Sequence, residues 1–224
     1  VPVDTTWNRV PGGAPIGQLT AEAIARFSPE DPVASLPALL AIRRRLAVLP
    51  TDPVVRDKRR QLDGIIQACL GLEVETQMDR TEVVPGETLT MRHRVVVHSR
   101  VPVRWTAVRY PSIQRAVART LIVRQGRPAA REVAQVLPAD TPPSQPYWLR
   151  AEGTVGLFRV DDPALIGRAE NPPAFPLEYV FEVDGQVLVI PGEPVAADAR
   201  NPGGRRRLDV IAPVSLRFRS RVQL

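Results

Sequence analysis

The sequence predicts an α+β protein, with a helical segment over residues 1–71 followed by an antiparallel β-sandwich over residues 72–224. Two observations carry this. Apolar residues recur every three to four positions up to Gly71 and at every second position beyond it, the change from a helix face to half-buried strands. The chain also holds 24 prolines against 14 glycines, which argues against one long helical bundle, because each proline removes a donor and resists helix interiors.

Three helices are expected. After a turn at Pro11 to Gly13, PIGQLTAEAIARF sets Ile16, Leu19, Ala23, Ile24 and Phe27 on one stripe, and SPEDP ends it. A second helix starts near Ser35 as cap, with Pro37 in its first turn, and runs through Leu39, Ile42, Leu46 and Leu49. The third begins at Thr51-Asp52-Pro53, a capping side chain before a proline, and ends at Gly71. Its buried stripe is Leu62, Ile65, Ile66 and Cys69, with Asp57 and Gln61 one turn apart on the outer face.

Beyond Gly71, LEVETQMD alternates Leu72, Val74 and Thr76 against Glu73, Glu75 and Gln77. A turn at VVPGET leads to LTMRHRVVVHS, and after a break at Ser99-Arg100 comes VPVRWTAVRY. Further strands are read in ARTLIVR, REVAQVL, LEYVFEVDG, QVLVI and LDVIAPVSLRF. Asp184-Gly185 between two alternating runs makes 177–190 a hairpin. Seven or more short strands with turn signals between them describe an immunoglobulin-like sandwich, without the Cys-Trp-Cys core of antibody domains. Residues 138–176 are irregular and proline-punctuated, as in a loop that is either functional or packed across a sheet.

Composition narrows the function. A net charge of +6 invites a nucleic-acid reading, yet Lys58 is the only lysine and the runs at Arg43–Arg45, Arg59–Arg60 and Arg205–Arg207 are scattered, without the interleaved aromatics that stack bases. Each run is expected to be a solvated face, and no nucleic-acid partner follows. Cys69 is the only cysteine, so no intrachain disulfide forms, and on its helical stripe it reads as a small buried hydrophobe. No apolar run approaches the roughly twenty residues needed to span a bilayer. The chain opens VPVDTTW, without signal-peptide character or an initiator Met, which suggests processing or an excised piece.

Catalytic chemistry is not apparent. His93 and His98 stand five apart on one predicted strand, an odd spacing that points them to opposite faces and away from a shared metal, so each reads as a surface or locally satisfied histidine. No phosphate loop, nucleophile elbow or His-Glu-x-x-His occurs. The pairs Glu30-Asp31 and Asp161-Asp162 sit beside prolines and suit turns and caps. In QPYWLR, strand alternation places Tyr147 and Leu149 on one side and Trp148 and Arg150 on the other, so one aromatic tends inward and one outward. Tyr147, Trp148, Arg150 and Asn171 are the candidate contacts for a ligand or an interface; the competing reading is an aromatic that pins a loop over the sandwich.

QPYWLR, the run from Gly156 to Ala174 (GLFRVDDPALIGRAENPPA), TWNRVPGG, DPVASLPALLAIRRRL, QACLGL and VVPGETL together resemble the C-terminal region of large bacterial PIG-L (LmbE-like) proteins. The resemblance spreads over nearly the whole chain. It implies a parent that is a zinc-dependent deacetylase of N-acetylsugars. The family's Ala-His-Pro-Asp-Asp-Glu and His-x-x-His metal motifs are absent here, so no catalytic or metal residue transfers and zinc is expected only in a catalytic domain outside this chain. Where relatives show Tyr-Arg-Trp, this sequence has PVAADARNPGGRRR, read as a loop from Ala196 to Arg207.

Three roles follow as expectations. The first is a non-catalytic portion that docks on the catalytic domain of the same polypeptide, with an exposed apolar patch on the helical segment where that domain is missing. The second is a carbohydrate-binding module that uses Trp148 or Tyr147 as a platform, with Arg150 or Asn171 hydrogen-bonding. The third is an oligomerisation element that pairs its sheet edges.

Overall fold

The structure is a computed structural model that describes residues 6–50, 52–197 and 204–215. It is α+β, with three helices followed by mostly antiparallel sheets. Helix α1 (Ala14–Ala25) packs on α2 (Leu36–Ala47), which packs on α3 (Pro53–Leu70). The third helix starts as its sequence demands: Asp52 Oδ1 accepts from the backbone N–H of Val54 at 2.8 Å and of Val55 at 3.1 Å, while Pro53 fills the first helical position. Thr51 lies outside the described residues. Gly71 ends the helix at φ 57°, where a Cβ would stand 2.8 Å from Cβ of His98, so both conformation and space require glycine.

Ser35 does not cap α2. A 3-10 turn, Pro32–Ser35, runs straight into the helix, so Ser35 is already helical in conformation and its buried hydroxyl has no partner among the described residues. The cation at the far end is better placed: Arg59 of α3 donates to the carbonyls of Leu46, Ala47 and Leu49, satisfying the last turn of α2.

One sheet has the order β10-β9-β1-β3-β6, built from β1 (Leu72–Gln77), β3 (Thr88–Val97), β6 (Ala129–Val136), β9 (Pro194–Ala197) and β10 (Arg205–Arg207). The other has the order β5-β4-β7-β8, from β4 (Val103–Tyr110), β5 (Arg115–Val123), β7 (Leu177–Val183) and β8 (Gln186–Gly192). A short pair joins β2 (Glu82–Val83) to β11 (Asp209–Val210). Two pairings depart from the antiparallel expectation: β1 with β9 and β2 with β11 are parallel. The segment 196–207 is not a simple loop, because β9 and β10 pair at Val195 with Arg207; residues 198–203 between them lie outside the described residues. Of the last predicted strand, Asp209–Val210 forms β11 and residues 211–215 are not in a strand; residues 216–224 lie outside the described residues.

The hairpin at 177–190 forms as read, with Asp184 at φ 49° and Gly185 at φ 68° in its two-residue turn. Helices and sheets share one hydrophobic core, in which Ile66 and Leu70 of α3 join Val95 of β3, Trp105 of β4 and Phe181 of β7. Arg43 fastens the two parts together. Its guanidinium pairs with Asp63 of α3 at 2.7 Å and donates to the carbonyl of Val187 in β8 at 2.6 Å. The arginine runs are therefore not simply solvated faces: Arg43, Arg59 and Arg207 each hold two or more segments together, while their neighbours remain largely exposed.

Candidate functional site

Three regions hold side chains that exceed ordinary packing. The first lies on the helices. Since α1 and α3 both pack on α2, an apolar groove of about 410 Å³ opens between them, floored by Leu39 and Ile42. Ile24 and Phe27 form one wall and Ile65 and Cys69 the other. Ile24 is 70% exposed, Phe27 52% and Ile65 50%, so these three members of the expected buried stripes are not core residues. Ile24 and Ile65 do lie on their helices, whereas Phe27 stands two residues past the end of α1; among the described residues no element covers these side chains. Cys69 is only half-buried, and burial pushes its thiol up from its ordinary value, which keeps it protonated and poorly nucleophilic.

The second region is the interior between the two sheets. Thr76 Oγ1 lies 2.8 Å from His93 Nδ1 and 2.6 Å from the Tyr179 hydroxyl, and His93 Nε2 lies 2.7 Å from the Tyr110 hydroxyl. This chain joins β1 and β3 of one sheet to β4 and β7 of the other. His93 is fully buried, and its pKa falls to about 4, chiefly through desolvation and secondarily through the charge of Arg131. Arg131, also buried, reaches from β6 into the opposite sheet at the irregularity in β4 between Trp105 and Ala107. There it donates to the carbonyls of Trp105 and Arg119 and lies 3.8 Å over the Trp105 ring. Desolvation lowers its pKa to about 10.

Sequence reading did not single out Arg131, although strand parity offered the signal. Arg131 shares a row with Ala129, Val133 and Gln135, as His93 does with Met91 and Val95, and both rows face inward. His98, by contrast, is exposed and lies 3.1 Å from Glu73.

The third region is the irregular segment 138–176. Tyr147–Leu149 is a 3-10 turn, not a strand, so the faces differ from those expected: Tyr147 is buried, Trp148 half-buried, and Leu149 and Arg150 exposed. Asn171 is fully engaged, its Oδ1 accepting from Tyr147 N–H at 2.9 Å and its Nδ2 donating to Gln145 carbonyl at 2.7 Å. The Tyr147 hydroxyl donates to the carbonyl of Arg168 at 3.1 Å, and the two aromatic rings meet edge to face at 4.9 Å. Of the four candidate residues, Tyr147 and Asn171 thus build the loop, while Trp148 and Arg150 line a cleft of about 690 Å³ that reaches Arg206 and Asp209. The acid pairs serve locally: Asp162 accepts from Ala164 N–H, Asp161 pairs with Arg159, and Glu30 accepts from Ser28.

Among the described residues, no three His, Cys, Asp or Glu side chains converge as a metal site, and no helix is long and apolar enough to cross a membrane. No protein family's sequence profile matches the chain, and no curated protein is similar to it in sequence. Among solved structures, it superposes on the sporulation control protein Spo0M of Bacillus subtilis with a TM-score of 0.28 and 15% identity, over 63% of this chain and 49% of that one. The alkylpurine DNA glycosylase AlkC of Pseudomonas fluorescens, bound to DNA containing an abasic site analog, gives 0.26 and 9%, over 71% and 46%. A beta-glucosidase of Listeria innocua gives 0.22 and 14%, over 56% and 16%. The chain spans less than half the length of each. Superpositions this loose carry no argument about this protein.

Proposed function

We propose that this chain is a non-catalytic C-terminal portion of a PIG-L-type deacetylase, and that its helical groove receives the catalytic domain of the same polypeptide. The observation that carries the reading is the exposure of Ile24, Phe27 and Ile65 around one groove. Burying a side chain of this size is worth about 1.5–3 kcal/mol, so three left in water around one groove mark a surface shaped for a partner. The unfilled side of α2 between α1 and α3 is where the next helix of a bundle would lie, and an apolar helix face of the catalytic domain is the occupant we assign to it. The sheets fit an immunoglobulin-like arrangement in this reading, with the long strands β1 and β3–β8 as its main elements. In this reading zinc belongs to the catalytic domain, because the His and Asp motifs that bind it in the family the chain resembles do not occur in this sequence.

The experiment is to mix this chain with the separately expressed catalytic domain and measure association by calorimetry. Association is expected, weakened at least tenfold by Ile24→Glu or Phe27→Glu, and the isolated chain is expected to have no zinc-dependent deacetylase activity. Robust activity of the chain alone, or association unchanged by both substitutions, would overturn the reading.

A further inference from the structure

We propose that the cleft beside Trp148 is a saccharide-binding site, with the indole as the platform for a pyranose ring and Arg150, Arg206 and Asp209 as partners of its hydroxyls. The site shares no residue with the helical groove and does not depend on the docking reading. Its volume of about 690 Å³ falls in the range of small-molecule sites. The platform is held in place from behind. Tyr147 is buried and tied at its N–H to Asn171 and at its hydroxyl to Arg168, and its ring abuts Trp148 at an interplanar angle of 89°. Trp148 keeps part of its surface in the cleft, and its indole N–H has no partner among the described residues.

The polar lining decides the ligand class. Arg207 and Glu170 are paired to each other, and Asp162 caps the turn at Pro163, so these are spent. Of the charged groups in the lining, those without a side-chain partner among the described residues are two donors, Arg150 and Arg206, and one carboxylate acceptor, Asp209. A phosphate would call for donors alone and a metal ion for acceptors alone. An aromatic face flanked by both suits a ligand whose groups donate and accept at once and whose ring has an apolar face, which is a sugar. The walls are preorganised: Pro146 and Pro172 stiffen the loop, and Ser144 binds Val210 in both directions, its N–H donating at 2.7 Å and its Oγ accepting at 2.9 Å.

The test is titration of the full chain with chitohexaose, cellohexaose and xylohexaose, followed by tryptophan fluorescence and calorimetry. A saturable response to at least one oligosaccharide is expected, lost in Trp148→Ala and weakened at least tenfold in Arg150→Ala and in Asp209→Asn. Arg150 is exposed, so its variant reports binding even if the tryptophan variant misfolds. No heat and no saturable signal with any of the three, a signal unchanged in Trp148→Ala, or saturable binding of inorganic phosphate alone would overturn the assignment.

Discussion

His93 Nε2 stands 2.7 Å from the hydroxyl of Tyr110, a contact between β3 in one sheet and β4 in the other. On its other side His93 meets Thr76, and Thr76 meets Tyr179, so the interior holds a polar chain satisfied in either direction of donation. Protonating His93 would leave these partners in place. Its cost comes from burial and from Arg131.

That cost sets a pH dependence. In the unfolded chain His93 takes up a proton near its ordinary pKa of 6.5, whereas in the fold it does so only near 4. Its contribution is therefore fully present above pH 6.5 and lost progressively as pH falls toward 4, on the order of 3 kcal/mol across the window. Urea denaturation at half-unit pH steps should show this slope, and His93→Gln, although less stable at neutral pH, should lose it.

Arg131→Ala should destabilise by about 3 kcal/mol, because it orphans two carbonyls and opens a void against Trp105. Arg131→Lys should recover less than half of this, since both carbonyl bonds come from the far Nη2 and an ammonium has no flat face to lie over the Trp105 ring. Chemical denaturation of the three proteins checks both statements.

Arg43→Ala should cost about 1–2 kcal/mol by removing the bonds to Asp63 and Val187. Hydrogen exchange should then rise at α2 and at the β7–β8 hairpin together, because Arg43 is where they are joined.

Asp52→Ala should cost about 1 kcal/mol, the usual worth of an N-cap that accepts from two backbone N–H groups. Asp52→Asn should retain most of the stability. Melting temperatures at neutral pH distinguish the two.

What the sequence revealed follows from how local each signal is. Asp52, Pro53 and Gly71 delimit α3 by their own backbone chemistry, and Asp184-Gly185 makes its turn without help from elsewhere. β2, β9, β10 and β11 are two to four residues long and have no periodicity to read; they exist because distant segments meet. The Arg43, Arg59 and Arg207 clamps escaped for the same reason, since a run of like charges does not say which member has a partner. At the cleft, the residue types drew attention to QPYWLR, but alternation assigned its faces wrongly because a 3-10 turn repeats every three residues. Spacing placed Ile24 and Ile65 on helix faces, with Phe27 falling just past the end of α1, yet spacing alone does not reveal whether anything covers them.

The parallel pairing of Thr76 in β1 with Pro194 in β9 bears on the order in which the chain matures. On a ribosome, β1 and its antiparallel neighbour β3 emerge early, while the strand that covers the other edge of β1 arrives after all of β4–β8 has been made. Until then that edge is bare, and closing so long a loop comes late and slowly. The exposed carboxylate of Glu73 on β1 is well suited to discourage another nascent chain from pairing there in the interval.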